Sequence, residues 1–359
     1  SETGTSRRAR AARSQPLAAA ADSTMPKVDV TKCAMAFRDE IKSSIEATVA
    51  AGGKRPKLVG FLANSDDAAA MYARWTERAC TRDGIEYELR RVERVDLEEA
   101  VMAANDDPDV NGILVYYPVF GGPIDDYLRD VISIQKDVEG LNHRYRYSLY
   151  HNVRVLADWG NRKAILPCTP LAILKVLNFL GAYDSSKPEG DQLEGKTVVL
   201  YNRSEVVGRP LAAMLANDGA MVYSVDIDNM LRYRKGRVSG TIKVEETTMS
   251  QDEALAMGDI VIAGVPTPKF SVDPKKLKKD CIAVNFSQFS NFGDGTEEVA
   301  TFVPAIGKVT IAMLERNLLR LHSAAIASDA AASARSKRFA VMAAAFVAVA
   351  AVGVVRARR

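Results

Sequence analysis

The sequence predicts an α/β protein of two domains, each built on a parallel sheet, with a cleft between them. Two observations lead to that class. Short apolar, β-branched runs alternate with helical patterns over most of the chain, as in βαβ units whose sheet is covered on both faces. One stretch, residues 196–228, goes further. It reads strand, tight turn, helix, strand and terminal acid, which is the plan of a Rossmann-like dinucleotide-binding unit. A chain of 359 residues has room for about two such domains.

Composition narrows the partners. With 47% hydrophobic and 26% charged residues the chain is ordinary globular material, and a net charge of +3 gives no reason to expect nucleic acid. Four cysteines (Cys33, Cys80, Cys168, Cys281) lie far apart without a CxxC pair, so neither a disulfide framework nor a zinc site is expected and a reducing compartment is. His143, His151 and His322 lack metal-ligand spacing. No metal is expected.

Taken in order, residues 1–24 are rich in Ala, Ser and Arg, which suits either an organellar targeting segment or a disordered tail. Thr31 can cap a helix to about residue 51, stopped by Gly52 and Gly53. Residues 58–62 form a strand, and Asp66 or Asp67 opens a helix to about 83. A strand at 86–92, a helix at 96–104 and a strand at 112–116 follow. Ligands of such sheets sit beyond the carboxyl ends of the strands. That points to Tyr116, Tyr117 and Pro118, then to Asp137 and Glu139 in the run Lys136–Leu141. Tyr72 and Thr76 are four apart on the second helix and share one face. Singly, each also fits a plain strand aromatic, packing residue or solvated turn.

The second half repeats the theme. Residues 165–170 precede a helix at 171–180, and 197–201 is the strand of the dinucleotide-like unit. Its turn is Asn202, Arg203, Ser204, Glu205, Val206, Val207, Gly208; only Gly208 of a glycine signature survives, with Asn202 where the first glycine would stand. The following strand, 220–225, ends at Asp226, an acid placed to accept from an adenosine ribose. The local pattern also fits a plain βαβ crossover whose acid merely caps a strand. Residues 228–250 are polar and basic, like an inserted loop or hairpin. Strands at 259–263 and 281–286 complete the second sheet, leaving Val265, Pro266, Asn285 and Phe286 at strand ends where a nicotinamide would lie. Residues 303–310 lead into a last amphipathic helix ending near His322. Beyond it, 339–355 carry no charge between Arg338 and Arg356, long enough at the lower limit for a membrane tether, or else an Ala-rich tail.

Six phrases occur in one order over residues 25–322: ILVYYPV, KDVEGLN, LPCTPLAIL, NRSEVVGRPLAAMLANDGA, YSVDID and GKVTIAMLERNLLRL. Together they resemble the methylenetetrahydrofolate dehydrogenase family, most closely its monofunctional, NAD-dependent fungal-type branch. The resemblance implies a catalytic folate-binding domain (25–163 plus 304–322), an NAD-binding Rossmann-like domain (164–303), a tail (323–359) and a homodimer. It implies substrate contacts at Thr76, Tyr116, Tyr117, Pro118, Pro304 and Gly307. Tyr72, Asp137 and Glu139 are implied in catalysis, with Cys168 a candidate there that reads better as a packing residue. The family's Tyr-x-x-x-Lys is here Tyr72-Ala-Arg-Trp-Thr76, so the lysine that would carry protons for cyclohydrolase chemistry is missing. The Pro-Gly-Gly-Val-Gly-Pro loop is reduced to Pro304-Ala305-Ile306-Gly307-Lys308-Val309.

The expected reaction is therefore NAD-dependent oxidation of 5,10-methylenetetrahydrofolate to 5,10-methenyltetrahydrofolate, without cyclohydrolase activity. Asp226 favours NAD, because a 2′-phosphate there would meet like charge; Arg203, Arg232, Arg234 and Lys235 argue for NADP unless the basic loop is mobile. Two rivals stand beside this reading: a bifunctional dehydrogenase/cyclohydrolase, and a silent, membrane-tethered nucleotide-binding scaffold. The folded core suits the cytoplasm, against organellar targeting by the N-terminal segment or anchoring by the tail.

Overall fold

Strand order shows how the chain divides. A computed structural model describes residues 27–357 apart from 239, with side chains to 338 except at 158, 329, 331–334 and 337. The expected targeting segment at 1–24 lies outside the described residues. Chain order begins with α1 (Thr31–Ala50), β1 (Lys57–Leu62), α2 (Asp67–Asp83), β2 (Glu86–Arg91), α3 (Leu97–Asp106) and β3 (Gly112–Val115). The three strands form a parallel sheet in the order β2-β1-β3. Thr31 does not cap the first helix: the N-cap is Val30, which makes no side-chain cap, and the Asp29 carboxylate just before it accepts from the Thr31 N–H at 3.0 Å. A carboxylate two residues upstream reaches the free N–H groups of the first turn better than a hydroxyl already inside it. Asp66 caps α2 as expected, accepting from the Ala68 N–H.

Next come α4 (Pro123–Val131), α5 (His143–Tyr150), a small hairpin of β4 (Val155–Leu156) and β5 (Arg162–Lys163), and α6 (Cys168–Phe179). Apart from α6, these elements have too few residues to show a clear period. The last of them starts three residues before the expected Leu171. Pro170 falls in its first turn, where a missing N–H is harmless.

The second sheet has seven strands in the order β12-β11-β10-β6-β7-β8-β9. Its parts are β6 (Thr197–Tyr201), α7 (Gly208–Asn217), β7 (Met221–Val225), β8 (Met230–Lys235), β9 (Ile242–Glu246), α8 (Gln251–Met257), β10 (Ile260–Ala263), β11 (Cys281–Asn285), α9 (Thr296–Val299) and β12 (Ala300–Val303). Strands β12 to β7 run parallel, and β8 and β9 continue antiparallel. The basic insert thus takes the hairpin alternative, adding β8 and β9 to the sheet. Glu245 on β9 holds Arg232 at 3.0 Å and Arg234 at 3.3 Å, which ties the two strands across the sheet. In this sheet β6 lies between β7 and β10, so the chain leaves it in opposite directions. A switch of that kind opens a crevice at the strand's carboxyl end.

The last helix does not end near His322. It runs as α10 from Gly307 to Ala357. No glycine or proline interrupts residues 308–352, and alanine, the strongest helix former, fills the second half. Val309, Ala312, Met313 and Leu318 of its first half are buried in the same core as Ile41 and Ile45 of α1 and Ile173 of α6. The suggested tether at 339–355 falls within this helix, beyond the described side chains. Among the described residues no helix is long and apolar enough to cross a membrane.

Candidate active site

The crevice at the end of β6 is shaped by short polar side chains. Asn202 accepts from both the Ser204 N–H (3.0 Å) and its hydroxyl (2.8 Å), and donates to the Gly264 carbonyl at the end of β10 (2.8 Å). The Ser204 hydroxyl accepts in turn from Val207 N–H (3.2 Å) and Gly208 N–H (3.4 Å). A Cβ at Gly208 would stand 2.1 Å from the Asn202 carbonyl oxygen, so only glycine lets helix and strand approach this closely. This is why the turn survives the loss of the first glycine: the Asn202 amide ties down what glycine would leave free.

Arg203 is engaged by the fold itself. Its side chain is 7% exposed, and it donates to the Ser224 carbonyl (2.6 Å), to the Asn229 carbonyl (3.0 Å) and to the Asn229 side chain. Asp226 lies 3.9 Å from the same guanidinium with its side chain about half exposed at 47%, at the end of β7. Glu205 pairs with Arg209 at 3.1 Å. At the far strand ends the Asn285 amide donates to the carbonyls of Ser287, Phe289 and Pro304, while Val265 N–H is held by Asn291 at 2.7 Å. The Phe286 ring covers Gly264, where a Cβ would stand 2.0 Å from ring carbons.

Opposite lies the wall of β1, β3 and α2. Tyr72 meets Tyr116 edge to face, ring centroids 5.9 Å apart. The Tyr116 hydroxyl shares a 2.8 Å hydrogen bond with that of Tyr87. Thr76 is fully buried and donates back to the Tyr72 carbonyl at 3.0 Å. Tyr117, next along the chain from Tyr116, has the Arg129 guanidinium 4.5 Å above its ring. Asn64 straps the strand end by donating to the carbonyls of Tyr116 and Pro118, both at 2.8 Å.

The two acids divide their work. Asp137 accepts from the N–H groups of Glu139 (3.0 Å), Gly140 (2.9 Å) and Asn142 (2.8 Å), so it ties the turn. Burial still pushes its carboxyl up to about 6 against those bonds. Glu139 is the acid left for chemistry. Burial, then the neighbouring Asp137, push it up to about 8. Burial raises the Cys168 thiol far above its ordinary range, and its Sγ donates to the Val138 carbonyl at 3.4 Å. A thiol so placed packs and does not attack.

One pocket joins the walls: Tyr72, Glu139, Leu141, Pro167, Cys168 and Thr169 line it together with Val206 of the β6 turn and Thr310 of α10. Pro304 and Gly307 do not reach it. They line a larger pocket of about 780 Å³ beside Trp75 and Lys308. Among the described residues no lysine or arginine lines the smaller pocket, and no cluster of His, Cys, Asp or Glu could hold a metal.

Comparison with known proteins decides the family. The model for the catalytic domain of tetrahydrofolate dehydrogenase/cyclohydrolase matches residues 28–139, and that for its NAD(P)-binding domain matches 167–326. The chain belongs to the tetrahydrofolate dehydrogenase/cyclohydrolase family. Within it, the chain is 50% identical over 296 residues to the methylenetetrahydrofolate dehydrogenase [NAD(+)] of Dictyostelium discoideum, covering 82% of this chain and 93% of that one. It is 48% identical to the protein of the same name from Saccharomyces cerevisiae, covering 81% and 94%. The solved structure of the NAD-dependent 5,10-methylenetetrahydrofolate dehydrogenase from Saccharomyces cerevisiae superposes with a TM-score of 0.77, covering 81% of this chain and 95% of that one.

Within this family member, sequence reasoning missed four residues that shape the site. Asn317 donates to the carbonyls of Val138 (2.9 Å) and Leu166 (3.0 Å), locking α10 to the acid-bearing turn and to the entry of α6. Thr310 lines the pocket, Tyr87 holds Tyr116, and Asn291 holds Val265. A buried asparagine inside the apolar pattern of the last helix was the available signal for Asn317.

Proposed function

We propose that the chain oxidises 5,10-methylenetetrahydrofolate to 5,10-methenyltetrahydrofolate with NAD, and does not hydrolyse the product. The observation that carries this is the pocket Tyr72, Glu139 and Cys168 share with Val206, which sets a folate wall against a dinucleotide turn. The residues present fit NAD: a glycine-tight turn opens α7 at the sheet's switch point, and a half-exposed carboxylate stands at the next strand end. The turn from Asn202 to Gly208 would hold the pyrophosphate, Asp226 the ribose hydroxyls, and Val265, Pro266, Asn285 and Phe286 the nicotinamide side. Bound NAD supplies the hydride acceptor. Arg232 and Arg234 are engaged by Glu245, and Lys235 by Asp191 at 2.6 Å, so the basic residues that favoured NADP are spent within the fold.

The chain's own residues position the folate. Glu139, free of side-chain partners among the described residues and lying in the pocket, takes the amino edge of the pterin. Tyr72 and Tyr116 set the plane in which the bridging carbon lies. Hydrolysis of a methenyl cation asks for a proton carrier near the bridge. Position 76 offers a hydroxyl already bound to the Tyr72 carbonyl, and every phenol around it is pushed up by burial. Residues 25–163 with 304–322 form the catalytic domain and 164–303 the cofactor domain, supported by the burial of the first half of α10 against α1. A homodimer in the cytoplasm completes the reading; all four cysteines are free and buried, as a reducing compartment allows. Sedimentation and fractionation test those two points.

The deciding experiment supplies methylenetetrahydrofolate with NAD or NADP and follows NADH and methenyl product together. Equal yields with NAD, and methenyl product that decays no faster with enzyme than without, are expected. Enzyme-dependent loss of the methenyl species sinks the monofunctional assignment, and absence of NADH sinks the dehydrogenase.

A further inference from the structure

A second concentration of charge lies away from the active site. The β4–β5 hairpin, α6, the loop before β6 and α10 enclose a pocket of about 630 Å³, a volume in the range of small-molecule sites. Its lining includes Arg154, Lys163, Lys175, Arg316 and Arg320 against only Glu189 and Asp218. On α10, Arg316 and Arg320 lie six and ten residues past Thr310, roughly 9 and 15 Å along the helix axis at about 1.5 Å per residue.

Pairing among these groups is incomplete. Arg316 is engaged by Glu40 at 3.5 Å and lies over the Phe37 ring. Arg154 reaches Asp218 at 3.4 Å, and Asp218 also accepts from Tyr183. That leaves Lys163, Lys175 and Arg320 with no ion-pair partner among the described residues, on one pocket. Lys175 and Arg320 are partly buried, and burial followed by neighbouring guanidinium groups pulls both below their ordinary values. Gathering like charges in a half-buried place destabilises a fold unless something opposes them. Leu166, Leu171 and Leu174 add an apolar floor beside the cations.

The geometry points to a second ligand site here, for an organic phosphate: its phosphoryl oxygens on Lys163, Lys175 and Arg320, its body on the leucine floor. Lysine and arginine meet phosphate with charge-assisted bonds, and three cations without an ion pair, opposed only at longer range by Asp218 and Glu40, suit the charge of one di- or triphosphate. The pocket is separate from the dinucleotide turn, since none of residues 202–208 lines it.

Inorganic tripolyphosphate is the probe, titrated into the full chain at constant ionic strength with and without saturating NAD. Thermal melting and calorimetry read the result. The wild type is expected to bind one equivalent and melt several degrees higher. In the K175Q/R320Q double variant, affinity should fall at least tenfold. Anion-free, the double variant should melt above the wild type, since a repulsion has been removed. The single Arg320→Gln, on a partly exposed helix face, gives the same comparison if the double variant does not fold. Equal affinity in wild type and variants overturns the site. So does equal stabilisation by sodium chloride at the same ionic strength, and so does tripolyphosphate binding that vanishes once NAD saturates.

Discussion

The two walls of the active-site cleft are built on opposite principles. The cofactor wall is made by backbone: a turn held by Asn202 and Ser204, a glycine that permits close approach, and an acid delivered by the end of β7. Arg203 in that turn is spent on carbonyls, and Arg209 on Glu205. The folate wall is made by side chains packed out of water, and burial pushes nearly every ionisable group there off its ordinary value: Tyr72, Tyr116, Asp137, Glu139 and Cys168. A dinucleotide is much the same in every enzyme that binds it, and a standard turn serves. On the proposed reading, reaction choice resides in the other wall, where a threonine at position 76 in place of an amine changes what the same groups can do.

Substitution at Gly208 should break the contrast most severely. A methyl group there meets backbone 2.1 Å away, which no rotamer relieves. G208A is expected to lower kcat/KM at least a hundredfold through NAD affinity while folate affinity holds; titration of each ligand separates the two. Loss of folate affinity in equal measure would mean the turn also supports the other wall. Glu139→Gln comes next. Removing the carboxylate proposed to receive the pterin should lower kcat/KM for the folate by about a hundredfold, ~2.7 kcal/mol of transition-state binding, with NAD affinity unchanged. The activity profile of the wild type should also show a group near pH 8 that E139Q lacks.

What could be read in advance follows the same division. The strands at 58–62, 197–201 and 281–285 and the turn at 202–208 are legible because apolar runs and turn chemistry are local properties. Asp226 is legible because a strand end fixes it. By contrast Asp137 and Glu139 sit two residues apart with similar side chains, and only the fold shows that one knits a turn while the other faces the pocket. The basic residues of β8 argued against the expected NAD for the same reason: Glu245, which engages Arg232 and Arg234, lies on the next strand, and pairing across strands leaves no trace in composition. The last helix ran on because amphipathicity fading at His322 is no stop signal, and neither glycine nor proline follows it before Gly353.

Asp226→Ser tests the cofactor wall more gently. Removing a half-exposed carboxylate should raise the KM for NAD about tenfold and that for NADP less or not at all, narrowing the preference between them. Equal loss with both cofactors would show that Asp226 supports the turn and does not read the ribose.

The last test concerns stability and not activity, through a buried acid behind the folate wall. Glu315 of α10 is fully buried, and neither of its oxygens finds a hydrogen-bond donor among the described residues. Burial first, then the Asp83 carboxylate, push its carboxyl up to about 8, with Arg82 and Arg38 opposing. Those two guanidiniums are already committed to Asp83, at 2.7 and 3.1 Å. The folded protein therefore keeps a proton on Glu315 that the unfolded chain, titrating near 4.5, gives up. Stability from this group is complete below about pH 4.5 and falls as pH rises to about 8, by at most ~1.4 kcal/mol per pH unit. Glu315→Gln cannot ionise, and its amide can donate to Asp83. The variant should match the wild type near pH 5 and melt above it near pH 8. Denaturant unfolding at pH 5, 6, 7 and 8 measures the two slopes, and parallel lines would mean that Glu315 is already ionised in the folded protein, answered by a cation the present geometry does not bring near.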